Sequence, residues 1–126
     1  MLKTIKILLI EDDEDYRVII KDFLKEMDFP IEVEEADSSS AGLEKLTNHS
    51  YDCVLIDYII PGISGLDVVK KAKNSGVISP FIILTAYGDE DLGKELIKEG
   101  ATDYLSRDQL NVEILQHKIQ LWSRFS

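Results

Sequence analysis

The sequence predicts an α/β fold built on a parallel sheet, and three observations carry that expectation. Segments with an apolar period near 2 alternate along the chain with segments of period near 3.6, the pattern of repeated strand–helix units. Two apolar runs, Ile5-Lys6-Ile7-Leu8-Leu9-Ile10 and Cys53-Val54-Leu55-Ile56, end abruptly in acid, the first in Glu11-Asp12-Asp13-Glu14-Asp15 and the second in Asp57. Breaks at Pro30, Pro61-Gly62, Gly76 and Gly100 fall between the periodic segments. A length of 126 residues suits a single domain, 1–126, with a real hydrophobic core.

Five strands are expected at 5–10, 31–36, 53–57, 80–84 and 102–105. The first helix, 14–27, places Tyr16, Ile19, Ile20, Phe23 and Met27 on one face and stops before Pro30. Asp37-Ser38-Ser39-Ser40 supplies an N-cap for a second helix reaching Asn48. Ser64 caps a third, with Asp67 three residues on, Leu66, Val69 and Ala72 turned inward, and Gly76 at its end. The fourth, 89–98, opens on Asp89-Glu90-Asp91 and closes at Gly100; Gly93 within it makes it the least stable of the five. The fifth, 108–124, takes Asp108 as N-cap and packs Val112, Leu115, Ile119 and Trp122 on the sheet. Ile114, Leu121 and Phe125 form a second apolar face, which points to a partner or a homodimer.

A formal net charge of −10 excludes nucleic acid and anionic membrane surfaces as partners, since those are held by clustered Lys and Arg. Cys53 has no second cysteine to pair with and reads as an inert core thiol. No apolar run approaches the ~20 residues of a membrane span, and Met1-Leu2-Lys3-Thr4 carries no signal-peptide pattern, so a cytoplasmic protein is expected. His49 and His117 lack ligand spacing and read as surface residues.

In an open α/β sheet the binding crevice lies beyond the carboxyl ends of the strands. Glu11 and Asp12 follow the first strand, Asp57 ends the third, Thr85 follows the fourth and Arg107 lies just past the fifth. Taken singly, these residues read as an acidic first turn, an Asx-turn, a helix cap and a surface charge; their shared placement makes a pocket the better reading. Two carboxylates about 4 Å apart repel by roughly 4 kcal/mol at an effective dielectric near 20. Such a cluster invites a hard, oxygen-liganded divalent cation, Mg²⁺.

At these residues the chain resembles a response-regulator receiver domain. The matching stretches are Ile7-Leu8-Leu9-Ile10-Glu11-Asp12-Asp13, the run from Asp52 to Gly65, Ile82-Ile83-Leu84-Thr85-Ala86 and Gly100-Ala101-Thr102-Asp103-Tyr104-Leu105, in order over essentially the whole chain. The resemblance implies a flavodoxin-like, doubly wound sheet of strand order 2-1-3-4-5 with five helices, acting as a two-component signalling switch. By position, Asp57 is the phosphoacceptor for a phosphohistidine on a histidine kinase or phosphotransfer protein. Asp12 and Asp57 would ligate Mg²⁺ directly, Glu11 through water, and Ile59 through its backbone carbonyl. Thr85 and the Ala86 N–H would hold phosphoryl oxygens. Thr85 and Tyr104 would relay the change to a face of helix four, strand five and helix five, where a downstream protein target binds.

The chain departs from the family pattern at Arg107, where lysine followed by proline is usual; here Asp108 follows. Arginine keeps the charge but not the shape, and without proline a trans peptide is expected after Arg107. Ile59 and Tyr87 stand where receivers often carry polar groups that place a hydrolytic water, so slow loss of phosphate is expected. The rival reading is a phosphorylation-independent pseudo-receiver, a protein-binding module, supported mainly by Arg107. A phosphatase with an aspartate nucleophile would want an acid two residues after Asp57, where Ile59 stands. No DNA-binding or enzymatic output domain is expected within these residues.

Overall fold

The computed structural model describes residues 3–86, 88 and 90–123. Five parallel strands, β1 (Ile5–Ile10), β2 (Ile31–Ala36), β3 (Cys53–Asp57), β4 (Phe81–Thr85) and β5 (Asp103–Ser106), form one sheet in the order β2-β1-β3-β4-β5. They alternate with α1 (Glu14–Lys25), α2 (Ser39–Asn48), α3 (Gly65–Asn74), α4 (Glu90–Lys98) and α5 (Val112–Trp122), which cover both faces of the sheet. This is the doubly wound, flavodoxin-like arrangement expected from the sequence.

Covering both faces explains why the central strands are apolar runs without alternation. Every residue of β3 and β4 is buried. Leu8, Ile10, Val54, Ile56 and Ile83 meet Val68, Val69 and Ala72 of α3 and Leu96 of α4 on one side. Ile7, Leu9, Leu55, Ile82 and Leu84 meet Ile20 and Leu24 of α1 and Leu115 and Ile119 of α5 on the other. Cys53 lies inside this second layer, where burial pushes its thiol up to about 12, so it is inert. Among the described residues no helix is long and apolar enough to cross a membrane.

Ser38 and Ser64 cap α2 and α3 as expected, and α1 takes Asp13 as its cap. The Asp13 carboxylate accepts from the Asp15 and Tyr16 amides, Ser38 from Ala41, and Ser64 from Asp67. Helix α1 ends two residues sooner than expected and turns Leu24 inward in place of Ile19, which is 45% exposed. Ile20 and Leu24 are four apart and define the buried stripe; Met27 reaches the core from the turn beyond the helix. The last two strands sit one residue later than expected, which brings Thr85 into β4 opposite Ser106.

The start of the fifth helix is corrected. Asp108 does not cap it: Arg107–Gln109 form a 3₁₀ turn closed by the Leu110 amide on the Arg107 carbonyl, and Asn111 caps α5 by accepting from the Ile114 amide. The Arg107–Asp108 peptide is trans, as expected. The second apolar face of α5 is also revised. Ile114 packs toward the core, Leu121 is exposed, and Phe125 lies outside the described residues. Trp122, expected in the core, is 38% exposed and donates its indole N–H to Asp103.

Gly65 and Gly93 make close approaches that bear on the site and on α4. The Gly65 amide donates to the Tyr58 carbonyl, and a Cβ at Gly65 would run into the backbone oxygen of Asp57, so α3 begins hard against the end of β3. Gly93 of α4 lies directly beneath the Tyr104 ring, where a Cβ has no room. Gly→Ala in a helix interior ordinarily gains about 1 kcal/mol. At Gly93 the sign reverses: Gly93→Ala is expected to lose about 1–3 kcal/mol in urea unfolding through overpacking, and to become stabilising in a Tyr104→Ala background.

The edge strand β2 carries Glu32, Glu34 and Glu35, charges that discourage pairing with another sheet. Glu34 accepts from the Tyr51 hydroxyl at 2.9 Å and pairs with Lys6 and Lys45. The Tyr51 bond, opposed by some desolvation and helped by Lys6, holds the Glu34 carboxyl below its ordinary value. A depressed carboxylate stabilises the fold above its unfolded-state value and ceases to do so as pH falls through the folded one. Tyr51→Phe is therefore expected to lower stability by about 1.5 kcal/mol at neutral pH and by much less near pH 3, measured by thermal melts at both.

Candidate functional site

The register of the sheet builds the site. Ile10 of β1 lies opposite Ile56 of β3, so the next residues, Glu11 and Asp57, emerge side by side. Asp57 in turn faces Leu84 of β4, and Thr85 faces Ser106 of β5, immediately before Arg107. Parallel strands send all these ends the same way. A cleft of about 540 Å³ opens there, lined by Glu11, Asp12, Asp57, Ile59, Thr85, Ala86 and Arg107, with Asp13, Tyr58 and Leu92. Seven of the eight residues singled out from the sequence are thus brought together. The eighth, Tyr104, lies on the α4 side of β5 over Gly93.

Burial divides the acids. Glu11 is fully buried and Asp57 nearly so, whereas Asp12 is exposed at the mouth. Their oxygens nevertheless lie within 4.8 Å of one another. Burial, with the neighbouring Asp57 carboxylate, pushes Glu11 up to about 7, against the opposing pull of the Asp13 amide and Arg107. Glu11 is held in place from both ends: its carboxylate accepts from the Asp13 amide at 3.0 Å, and its carbonyl accepts from Arg17 at 2.7 Å.

Arg107 reaches into this cluster from the 3₁₀ turn after β5. Its Nη2 donates to Glu11 Oε2 at 2.5 Å and also to Asp57 Oδ2. Burial alone would lower the arginine, but the charges of Asp57 and Glu11 outweigh it and hold it above its ordinary value, so it stays cationic. Its guanidinium carbon sits 4.0 Å from the centre of the Tyr16 ring. Burial raises that phenol to about 12, so Tyr16 is neutral. The helical pattern had placed Tyr16 only as a member of a core face. Its role beside Arg107 had no signal in spacing, because the two meet through folding alone.

The converging carboxylates of Glu11, Asp12 and Asp57 outnumber the one guanidinium, so the cluster is net negative. An all-oxygen donor set with that residual charge fits a hard divalent cation. Thr85 is buried, its hydroxyl 3.5 Å from the Leu105 carbonyl, and the exposed Ala86 follows at the cleft wall. Tyr87 lies outside the described residues.

On the far side of β5 the structure shows a polar knot that sequence reasoning missed. Asp103 is buried and accepts from Lys118 at 2.7 Å and from the Trp122 indole at 2.8 Å, tying β5 to α5. The only hint in the sequence was a cation and a tryptophan four apart on a helix.

Comparison with known proteins bears on what this site is. The sequence model of the response regulator receiver domain matches residues 7–120. A cyclic di-GMP phosphodiesterase of Thermotoga maritima is 33% identical over 113 residues, covering 90% of this chain and 29% of the relative. Response regulator RppA of Synechocystis is 31% identical over 112 residues, covering 87% of this chain and 47% of the relative. The chain therefore spans less than half the length of either. A response regulator receiver domain protein from Clostridium thermocellum superposes with a TM-score of 0.82 at 34% identity, covering 93% of this chain and 92% of that one. A signal receiver domain from Vibrio parahaemolyticus shares the fold, with a TM-score of 0.85 at 24% identity over 94% of this chain and 89% of that one. By sequence and fold alike, with acids gathered at the carboxyl edge of the sheet, the chain belongs to the receiver domains of two-component response regulators.

Proposed function

We propose that residues 1–126 act as one receiver domain whose Asp57 accepts a phosphoryl group from a phosphohistidine and thereby switches a protein-binding face. The observation that carries this reading is the cluster of Glu11, Asp12 and Asp57 oxygens within 4.8 Å, carboxylates that outnumber the one Arg107 guanidinium beside them. An Asp57 oxygen attacks the phosphorus; the P–N bond breaks and its electron pair returns to the imidazole nitrogen of the donor. Little proton transfer is needed, so catalysis rests on alignment and on charge placed against the equatorial oxygens. Asp12 and Asp57 would hold Mg²⁺ directly, with Glu11 through water and the Ile59 carbonyl completing the protein ligands. When bound, the ion supplies neutralisation and alignment at the transferring oxygens. Thr85 and the Ala86 N–H receive phosphoryl oxygens, and Arg107 adds positive charge.

The signal follows from the new charge. Phosphorylation takes the Asp57 side chain from about −1 toward −2 and adds acceptor oxygens. The Thr85 hydroxyl turns toward them, freeing space beside β5 into which the Tyr104 ring can move from its seat on Gly93. Strand β5 is tied to α5 through Asp103, so the change reaches α4, β5 and α5 together. Ile97 on α4 and Leu121 and Trp122 on α5 are exposed there and suit a downstream protein target or a homodimer contact. The donor is a histidine kinase or phosphotransfer protein, and the domain works as a switch.

Acetyl phosphate with Mg²⁺ is expected to label the protein with one acid-stable, base-labile phosphate, seen by intact mass. Asp57→Ala abolishes the label and Asp12→Asn reduces it at least tenfold. Labelling that survives Asp57→Ala, or none in the wild type, sinks this reading and leaves the phosphate-independent module in its place.

Ile59 is 73% exposed at the cleft and carries no group able to orient water. The acyl phosphate is accordingly expected to persist for minutes or longer without a phosphatase. A half-life of seconds, followed by phosphate release, would contradict this.

A further inference from the structure

The arginine poses a physical problem that the receiver reading does not resolve. A guanidinium has five N–H donors in a rigid fork, yet both acid contacts of Arg107 run through the single nitrogen Nη2. Its Nε is buried and has no hydrogen-bond partner among the described residues. Both bonds are made at one corner of the guanidinium, and the opposite corner, Nε, has no polar partner among the described residues to hold it. Across the face of the group lies the Tyr16 ring, 4.0 Å from the guanidinium carbon. Stacking suits arginine in particular, because its face is weakly hydrated and attracted to the ring quadrupole.

Tyr16 is well placed to be a fixed platform. It lies in the first turn of α1, and its amide is held by the Asp13 carboxylate at 3.2 Å. Asp13 in turn holds the loop that carries Glu11 and Asp12, since its own amide donates to Glu11 Oε1. The phenol hydroxyl is buried with no partner among the described residues, so the ring face is the part of Tyr16 in use. The arginine so held spans Glu11 and Asp57, two of the three acids whose oxygens converge.

We propose that Tyr16 is the positioning residue for Arg107, and that the stacked pair is an internal counter-ion competing with a divalent cation for Glu11 and Asp57. The competition rests on the metal reading given under Proposed function. Entry of the cation takes carboxylate oxygens from Nη2, and the energy of the stack opposes that exchange. A partly desolvated cation–π contact corresponds to roughly three- to thirtyfold in an equilibrium.

Two measurements test this. In metal-free wild type, the Arg107 δ-methylene and Nε protons are expected upfield in NMR spectra from the ring current of Tyr16, and to return to ordinary shifts in Tyr16→Leu but not in Tyr16→Phe. Unshifted Arg107 protons in the wild type overturn the proposal without any variant. Mg²⁺ titration by calorimetry is then expected to show three- to tenfold tighter binding in Tyr16→Leu. Tyr16→Phe should stay within twofold of wild type, and Tyr16→Leu should have no further effect once Arg107→Met is present. An equal effect of Tyr16→Leu with and without Arg107 assigns it to general packing and overturns the proposal. Mg²⁺ binding that Asp57→Asn weakens and Tyr16→Leu leaves untouched overturns the proposal alone. No Mg²⁺ binding in wild type, Tyr16→Leu or Arg107→Met overturns the metal reading as well.

Discussion

The pairing of Ile10 with Ile56 governs the molecule, because it forces Glu11 and Asp57 to leave the sheet as neighbours in a buried place. Desolvating a charge costs several kcal/mol unless opposite charge and hydrogen bonds offset it. Much of the surrounding structure answers that demand. Arg107 bridges the pair, the Asp13 amide binds Glu11, and Asp12 stays at the exposed mouth. Even so, the compensation is incomplete and leaves negative charge in the cleft. A sheet buried on both faces cannot slip register to relieve it, since one residue of slip would turn every inward side chain to the opposite layer.

The architecture was legible because its causes are local. Strands covered on both sides must be apolar throughout, and a parallel sheet must interleave them with helices, so the runs at Ile5–Ile10 and Cys53–Asp57 announced themselves. The site was legible for a related reason. Acid at the end of a buried strand has few structural uses, and four strand ends carried chemistry. Arg107 stood out as a departure, yet its surroundings did not.

What escaped the sequence was relational. Periodicity identifies a helical face but not which part of it the sheet meets, so Ile19 and Leu24 exchanged roles. Asp108 and Asn111 are both good caps, and the choice fell to Asn111 because Leu115 and Ile119 had to reach the core while Arg107 had to reach the acids. The 3₁₀ turn absorbs the difference. Trp122 looked like a core residue until its indole proved to be a partner of Asp103, and Tyr16, which does pack against the core, also lies under Arg107. The Trp122–Asp103 and Arg107–Tyr16 contacts join groups distant in the chain.

These contacts together constrain where a signal can travel. Strand β5 is four residues long, and both its ends are tethered. Asp103 is bound to Lys118 and Trp122 of α5 at one end. At the other, Ser106 pairs with Thr85, and Arg107 is bound to the acid cluster and stacked on Tyr16. Leu105 faces the packed layer shared with α1 and α5. Tyr104 turns its side chain toward α4, where Gly93 offers a flat seat with no Cβ to lock the ring. The displacement of Thr85 proposed above would therefore reach Tyr104 on a strand held at both ends. The glycine that weakens α4 as a helix is also what lets the Tyr104 ring lie against it.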